Sequence, residues 1–179
     1  MAGIIADAVV GVLELAYGQE IGYDSQMRLV EGIQHLTLLS DDLDRLADFY
    51  ERVFGATKTL DLTEEWFRHI FLELGPTTVL HPFQLLDGRT PPPAPGTMFE
   101  RGRLDHFALF APSEEAFREI RRRLEAEGAA HRPVRDTKTA WIMDFQDPDG
   151  LYAEVIWRKP GTHDSETARH EDWTTVQLS

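Results

Sequence analysis

The chain contains one pattern twice, first as "GIQHLTLLSDDLDRLADFYERVFGA" (residues 32–56) and again as "GRLDHFALFAPSEEAFREIRRRLEAEGA" (residues 102–129). Each copy begins with a short apolar run that carries one histidine, His35 in the first and His106 in the second. A serine and two acidic residues then mark the start of a helix, and apolar residues follow at helical spacing. The repeat predicts that the chain is built from two copies of one module.

Three strand-like runs follow each predicted helix, at 57–61, 66–74 and 78–86 in the first copy and at 132–135, 140–144 and 151–157 in the second. The predicted fold class is therefore α+β, with the order βαβββ occurring twice. The predicted domain covers 32–157 and consists of module one (32–86), a proline-rich linker (87–101) and module two (102–157).

Two further segments flank this domain. Residues 1–31 are predicted to form a helix or strand that packs on the body or on a partner chain, because the segment is apolar but lacks the basic start of a signal peptide. Residues 158–179 are polar and are expected to be extended or mobile.

Composition excludes several functions. A net charge of −13 leaves no basic face for nucleic acid, and the absence of cysteine excludes disulfides, thiolate metal sites and a cysteine nucleophile. No stretch has the apolar length of a membrane span. We therefore expect a cytoplasmic protein whose partner is a small-molecule substrate.

The last predicted strand, "LYAEVIW" (residues 151–157), places Glu154 between apolar neighbours. A carboxylate in such a strand is costly unless it pairs with a cation or faces water. The repeat suggests that Glu154 has a counterpart in module one, at Gln84. His35 and His106 are 71 residues apart, and Gln84 precedes Glu154 by 70.

Strand alternation extends this comparison. Apolar residues on the first strands lie opposite the histidines, and Ala153 and Val155 lie opposite Glu154. The pattern predicts that four polar residues share the faces that the helices do not cover: His35, Gln84, His106 and Glu154. His81 has the opposite parity to Gln84 and is predicted to point away.

The sequence resembles the vicinal oxygen chelate superfamily, which includes glyoxalase I, methylmalonyl-CoA epimerase, extradiol dioxygenases and the fosfomycin and bleomycin resistance proteins. The resemblance covers about residues 32–157. It is carried by "GIQHLTLLSDDLDRLADFYERVFG" and "GRLDHFALF", which begin the two modules, and by "IFLELGPTTVLHPFQLLD" and "FQDPDGLYAEVIW". It implies a curved eight-stranded sheet that closes around one divalent metal.

The resemblance also implies a ligand set. His35, His106 and Glu154 would bind the metal, and Gln84 stands where glyoxalase-like and epimerase-like members place a fourth ligand. Imidazole and oxygen donors suit Ni, Co, Zn, Mn or Fe(II). Without Gln84, the remaining three residues form the facial triad of non-haem Fe(II) oxygenases.

Three functions follow from the resemblance. The first is proton transfer of the glyoxalase or epimerase kind, by a metal-dependent lyase or isomerase whose substrate offers two adjacent oxygens. The alternatives are an Fe(II) extradiol ring-cleavage dioxygenase and a ligand-binding protein of the bleomycin-resistance kind. A homodimer is the expected assembly.

Three residues are candidates for proton transfer. Alternation along "WFRHIFLEL" (residues 66–74) sends His69 and Glu73 toward the pocket, and His69 lies between two aromatic residues that would hold it neutral. Glu73 lies nearer the strand end. Tyr152 has the parity of Glu154 and is the third candidate.

Overall fold

The computed structural model describes residues 32–88, 104–130, 132–163 and 166–178. The N-terminal extension (1–31) and most of the linker lie outside the described residues, and the predictions made for them stay predictions. In the described part of the chain, neither helix is long and apolar enough to cross a bilayer.

Module one forms a four-stranded sheet with one helix. Its elements are β1 (His35–Leu39), α1 (Leu43–Phe54), β2 (Thr57–Thr63), β3 (Phe67–Gly75) and β4 (Thr78–Leu85). The strand order is β1-β4-β3-β2. Strand β1 runs parallel to β4, and the other neighbours are antiparallel.

Module two repeats this arrangement and adds a strand. Its elements are β5 (Phe107–Phe110), α2 (Glu114–Ala126), β6 (Val134–Asp136), β7 (Ala140–Gln146), β8 (Tyr152–Arg158) and β9 (Thr174–Val176). The order is β5-β8-β7-β6-β9, with β5 parallel to β8. The predicted α+β fold with two βαβββ modules is confirmed. The described residues form two sheets, of four and five strands, where the resemblance implied one curved eight-stranded sheet.

Local signals fix where each helix begins and ends. The carboxylate of Asp42 accepts hydrogen bonds from two backbone N–H groups of the first turn of α1, and Gly55 ends the helix with a φ of 70°. At the start of α2, the hydroxyl of Ser113 accepts one such hydrogen bond, from the N–H of Ala116. On α1, Leu43 and Leu46 are fully buried, and burying such a side chain contributes about 2 kcal/mol.

The two modules pack through their helix-covered sides. Phe49 and Phe54 of α1 contact Phe145 of β7, with ring centroids 6.2 and 5.1 Å apart. Arg45 of α1 forms an ion pair of 2.6 Å with Asp149 in the turn before β8. Buried residues of both modules form a single core. The opposite side of each sheet, which we call its open face, lies away from these contacts.

The C-terminal segment is more ordered than the sequence predicts. After a short 3-10 turn (His170–Asp172), β9 pairs antiparallel with β6 and places Thr175 beside Arg135. Val176 and Leu178 pack against the core. Within the tail predicted to be extended or mobile, residues 174–176 thus form an edge strand of the second sheet, where these two apolar residues have a surface to cover.

Candidate metal centre

Three histidines lie together on the open face of the first sheet. The ring centroids of His35 and His81 are 5.3 Å apart, and Nδ1 of His69 lies 2.8 Å from Nε2 of His81. The predicted alternation along β3 is confirmed, because Ile70 and Leu72 are fully buried in the core and His69 has the opposite parity. That His69 faces a substrate pocket stays a prediction.

Gln84 lies on the other side of this sheet, and its predicted place on the open face is wrong. Its side-chain oxygen accepts a hydrogen bond from the N–H of Leu43 at 3.4 Å, and its side-chain nitrogen donates to the carbonyl of Asp41 at 2.8 Å. The start of a helix leaves backbone N–H groups without partners. Gln84 therefore provides hydrogen bonds to the backbone at the start of α1.

The strand register identifies the true counterpart of Glu154. In the second sheet Glu154 pairs with Ala108, two residues after His106. In the first sheet His81 pairs with Thr37, two residues after His35. His81 is therefore the structural equivalent of Glu154, and the prediction that it points away from the pocket is wrong.

The other two predicted ligands meet on the open face of the second sheet. Nε2 of His106 lies 3.9 Å from a carboxylate oxygen of Glu154, Oε2. Tyr152 precedes Glu154 by two residues on the same strand, and it therefore shares this face. On the first sheet, Glu73 is exposed near the end of β3.

Both repeat histidines are held in the same way by the residue that precedes them. Nδ1 of His106 is hydrogen-bonded to the carboxylate of Asp105 at 2.7 Å, and Nδ1 of His35 is hydrogen-bonded to the side-chain oxygen of Gln34. Such a partner on one ring nitrogen fixes the tautomer and leaves Nε2 free, as is typical of metal-ligating histidines. Sequence reasoning missed these partners, although a polar acceptor stands before each histidine.

Arg135 provides the cation that Glu154 needs. Its Nη2 atom donates to Oδ1 of Asp144 at 2.6 Å and to Oε1 of Glu154 at 2.9 Å. Burial raises the pKa of Asp144, against the attraction of Arg135, and the neighbouring Glu154 raises it further. One guanidinium thus faces two carboxylates, and the cluster retains negative charge that suits a cation. Sequence reasoning did not find Arg135, because its contacts cross three strands.

The hydrogen bond between His69 and His81 links their proton positions. Burial lowers the pKa of His81, helped by His69 and His35, and His81 is therefore suited to accept a hydrogen bond as a neutral ring. If Nδ1–H of His69 is the donor, Nε2 of His69 has a free lone pair. If His81 is the donor, the proton of His69 is on Nε2, and the free nitrogen of His81 is Nδ1.

The chain places the candidate metal ligands in two separate groups. Within the described ranges, no three His, Asp or Glu side chains are arranged to hold one metal ion. The first half-site consists of His35, with His69 and His81 beside it, and the second consists of His106 and Glu154. Imidazoles with free Nε2 atoms and a carboxylate fit a divalent transition metal in type. Contacts between the modules join their covered sides, so the half-sites face outward from one chain.

The family profile described as "Glyoxalase/Bleomycin resistance protein/Dioxygenase superfamily" matches residues 32–155, which contain both half-sites. The chain belongs to this superfamily. No curated protein matches it. The superfamily includes many enzymes.

Solved structures share the fold at low sequence identity. A glyoxylase/bleomycin resistance protein/dioxygenase domain from Frankia sp. EAN1pec has a TM-score of 0.63 and 22% identity, over 76% of this chain and 98% of that one. Lactoylglutathione lyase from Agrobacterium tumefaciens has a TM-score of 0.52 and 24% identity, over 73% and 96%. The fosfomycin resistance protein FosX from Listeria monocytogenes, in complex with Mn(II) and sulfate, has a TM-score of 0.53 and 17% identity, over 74% and 96%.

Proposed function

We propose that this superfamily member is a metal-dependent enzyme that binds a small substrate through two adjacent oxygen atoms and transfers a proton on it. The observation that carries the proposal is the hydrogen bond between His69 and His81 on the face that also holds His35. It provides a candidate base beside a candidate ligand, and the base is not itself needed to hold the metal.

The proposed ligands are His35, His106 and Glu154. Each imidazole has its Nδ1 atom engaged by a preceding side chain, and Glu154 has one oxygen engaged by Arg135. A divalent metal held there would polarise the substrate oxygens and stabilise negative charge that develops on them. Three protein ligands leave positions for the two substrate oxygens.

His69 is the proposed general base, with Nε2 as the atom that accepts the proton. In this arrangement Nδ1–H of His69 donates to His81, and His81 keeps the ring of His69 in the productive tautomer. The ring of His69 also stacks on Phe83 at 5.1 Å between centroids and contacts Phe67 at 5.5 Å. These contacts restrict the ring, which favours a fixed distance to the substrate. Glu73 and Tyr152 are the alternative bases.

We further propose that each complete site forms between two chains of a homodimer. One chain would supply His35 and His69, and its partner would supply the second half-site. Apolar side chains on or near the open faces support such an association, because they are exposed in the single chain. Leu39 is 50% exposed, Leu62 47% and Phe110 69%.

Ring cleavage by Fe(II) and O₂ is the second candidate function, and two observations favour it. Gln84 lies on the covered side, which leaves two histidines and one carboxylate as the proposed ligand set. In addition, Phe67, Phe71 and Phe83 surround the histidines of the first open face and offer an aromatic surface to a substrate ring.

Reconstitution with different metals separates these functions. Metal-free protein is loaded anaerobically with Ni²⁺, Mn²⁺ or Fe²⁺. Exchange of substrate C–H for deuterium is followed by NMR with α-hydroxy ketones and with methylglyoxal–thiol adducts, and oxygen uptake is followed with catechols. We expect deuterium exchange without oxygen uptake, and none with His106→Ala. Oxygen uptake with Fe²⁺ would favour the dioxygenase, whereas metal-free ligand binding alone would indicate a binding protein.

A further inference from the structure

The geometry points to Arg135 as a positioning residue for Glu154, and to the C-terminal segment as the element that holds Arg135 in place. This inference rests on the proposed function, because it takes Glu154 to be a metal ligand. The segment lies beyond residue 155, where the family match ends. From outside the matched range, it would adjust how tightly the metal is held.

Arg135 bonds one carboxylate oxygen of Glu154 and leaves the other to face His106. Nη2 of Arg135 donates to Oε1 at 2.9 Å, while Oε2 faces Nε2 of His106 at 3.9 Å. The same Nη2 atom also bonds Asp144 at 2.6 Å. The carboxylate of Glu154 is thus fixed by one oxygen, and its other oxygen points at the neighbouring ligand. Outer partners of this kind orient metal ligands.

Trp173 packs against the guanidinium of Arg135. The Cζ atom of Arg135 lies 5.4 Å from the centroid of the Trp173 ring, within the range of a cation–π interaction. The indole N–H donates to the carbonyl of Ala168 at 2.9 Å, and His170 packs against the ring at 4.6 Å between centroids. The indole is therefore held on two sides by its own segment.

Backbone pairing anchors the segment to the strand that carries Arg135. Strand β9 pairs with β6 so that Thr175 lies beside Arg135. Before the 3-10 turn, the N–H of Ala168 donates to the carbonyl of Thr137 at 2.9 Å, and the hydroxyls of Thr167 and Thr139 lie 2.8 Å apart. These contacts place Trp173 over the guanidinium, and through it they act on Glu154.

Metal titration tests the inference. Mn²⁺ and Ni²⁺ are titrated calorimetrically into the metal-free full chain and its variants. Arg135→Gln should weaken metal binding by roughly 10- to 100-fold. Trp173→Ala should weaken it by about 2- to 30-fold, the range of a cation–π contact, and Trp173→Phe should restore most of the loss. The matched control is Arg169→Ala, in the same segment, whose side chain is 84% exposed.

A variant pair distinguishes positioning from general damage to the fold. In a Glu154→Gln background, Arg135→Gln should change metal affinity by less than about 2-fold, because the oxygen that it positions is no longer a carboxylate ligand. An equal loss in both backgrounds would overturn the inference, as would unchanged affinity in Arg135→Gln and Trp173→Ala. If the unaltered chain binds neither metal, the proposed function fails and this inference fails with it.

Discussion

Nδ1 of His69 lies 2.8 Å from Nε2 of His81 on the open face of the first sheet. A hydrogen bond between two imidazoles needs one donor and one acceptor, so a role for one ring restricts the role of the other. His69 can act as a base at Nε2 only if it is the donor. In that state, His81 accepts at Nε2 and has its proton on Nδ1, and it has no lone pair for a metal.

Substitution of each ring separates the two roles. His69→Gln should keep the metal and the fold but lower turnover by roughly two orders of magnitude or more. His81→Gln should also keep the metal and should lower turnover less, because His69 loses only its orienting partner. Metal content by elemental analysis and turnover on the identified substrate are the measurements. Loss of metal in His81→Gln would make His81 a ligand through Nδ1. His81 would then donate from Nε2, and His69 would accept at Nδ1 with its own proton on Nε2, so it could not act as the base.

The metal content of four variants tests the ligand set. We expect His35→Ala, His106→Ala and Glu154→Ala to lose stoichiometric metal while keeping most of the fold. Gln84→Ala should retain the metal and lower the free energy of unfolding by about 1 kcal/mol, because it removes hydrogen bonds at the start of α1. Chemical denaturation measures this cost. Loss of metal in Gln84→Ala would contradict the assignment of this side chain to the helix.

Mixing two inactive variants tests whether a site is shared between chains. His35→Ala and His106→Ala each damage a different half-site. If each site joins half-sites of two chains, a mixed dimer contains one intact site. Unfolding and refolding the two variants together should then restore metal to about one quarter of all sites, by random assortment into a two-fold dimer. No recovery in a mixture that dimerises would place the complete site within one chain.

The buried side chain of Asp147 should make the free energy of unfolding depend on pH. Its side chain is 6% exposed, and burial raises its pKa from 3.8 to about 6. An acid whose pKa is raised by folding favours the folded state in its neutral form. The stability that it contributes is present below about pH 4 and is lost as the pH rises through about 6. The free energy of unfolding should therefore fall across this window by about 3 kcal/mol.

Asp147→Asn should remove this dependence and stabilise the chain at pH 7. The amide oxygen can still accept the hydrogen bonds that Oδ1 receives from the N–H groups of Asp149 and Leu151, at 3.0 and 2.9 Å. Denaturation at several pH values provides the measurement. Asp48→Asn is a suitable control, because the Asp48 side chain is 65% exposed. An unchanged pH profile in Asp147→Asn would mean that another group is responsible.

Much of the fold follows from the repeat in the sequence. A strand with one histidine followed by a capped amphipathic helix occurs twice, and the modules form at these positions. The alternation on β3 is also correct, with Ile70 buried and His69 on the open face. Such local patterns predict the structure correctly, because a strand with one covered face must place its apolar residues on that face.

The fourth polar position could not be found by counting residues. His35 and His81 are 46 residues apart, whereas His106 and Glu154 are 48 apart. The modules differ by two residues between these strands, and an equal spacing selects the wrong residue. Only the pairing of β1 with β4 reveals the match. Arg135 and Trp173 were likewise hidden. Arg135 reaches Asp144 and Glu154 on neighbouring strands, and Trp173 lies in a C-terminal segment that the repeat does not contain.

Strand β9 also has a consequence for the behaviour of the chain in solution. By pairing with β6 it covers a row of backbone N–H and C=O groups that would otherwise form a free edge. Free edges recruit strands from other molecules and lead to aggregation, and short or charged edge strands resist this. On the first sheet, the edge strand β2 carries Lys58 and Asp61. A chain shortened to end at Arg158 would lack such protection on β6 and would be prone to form insoluble aggregates.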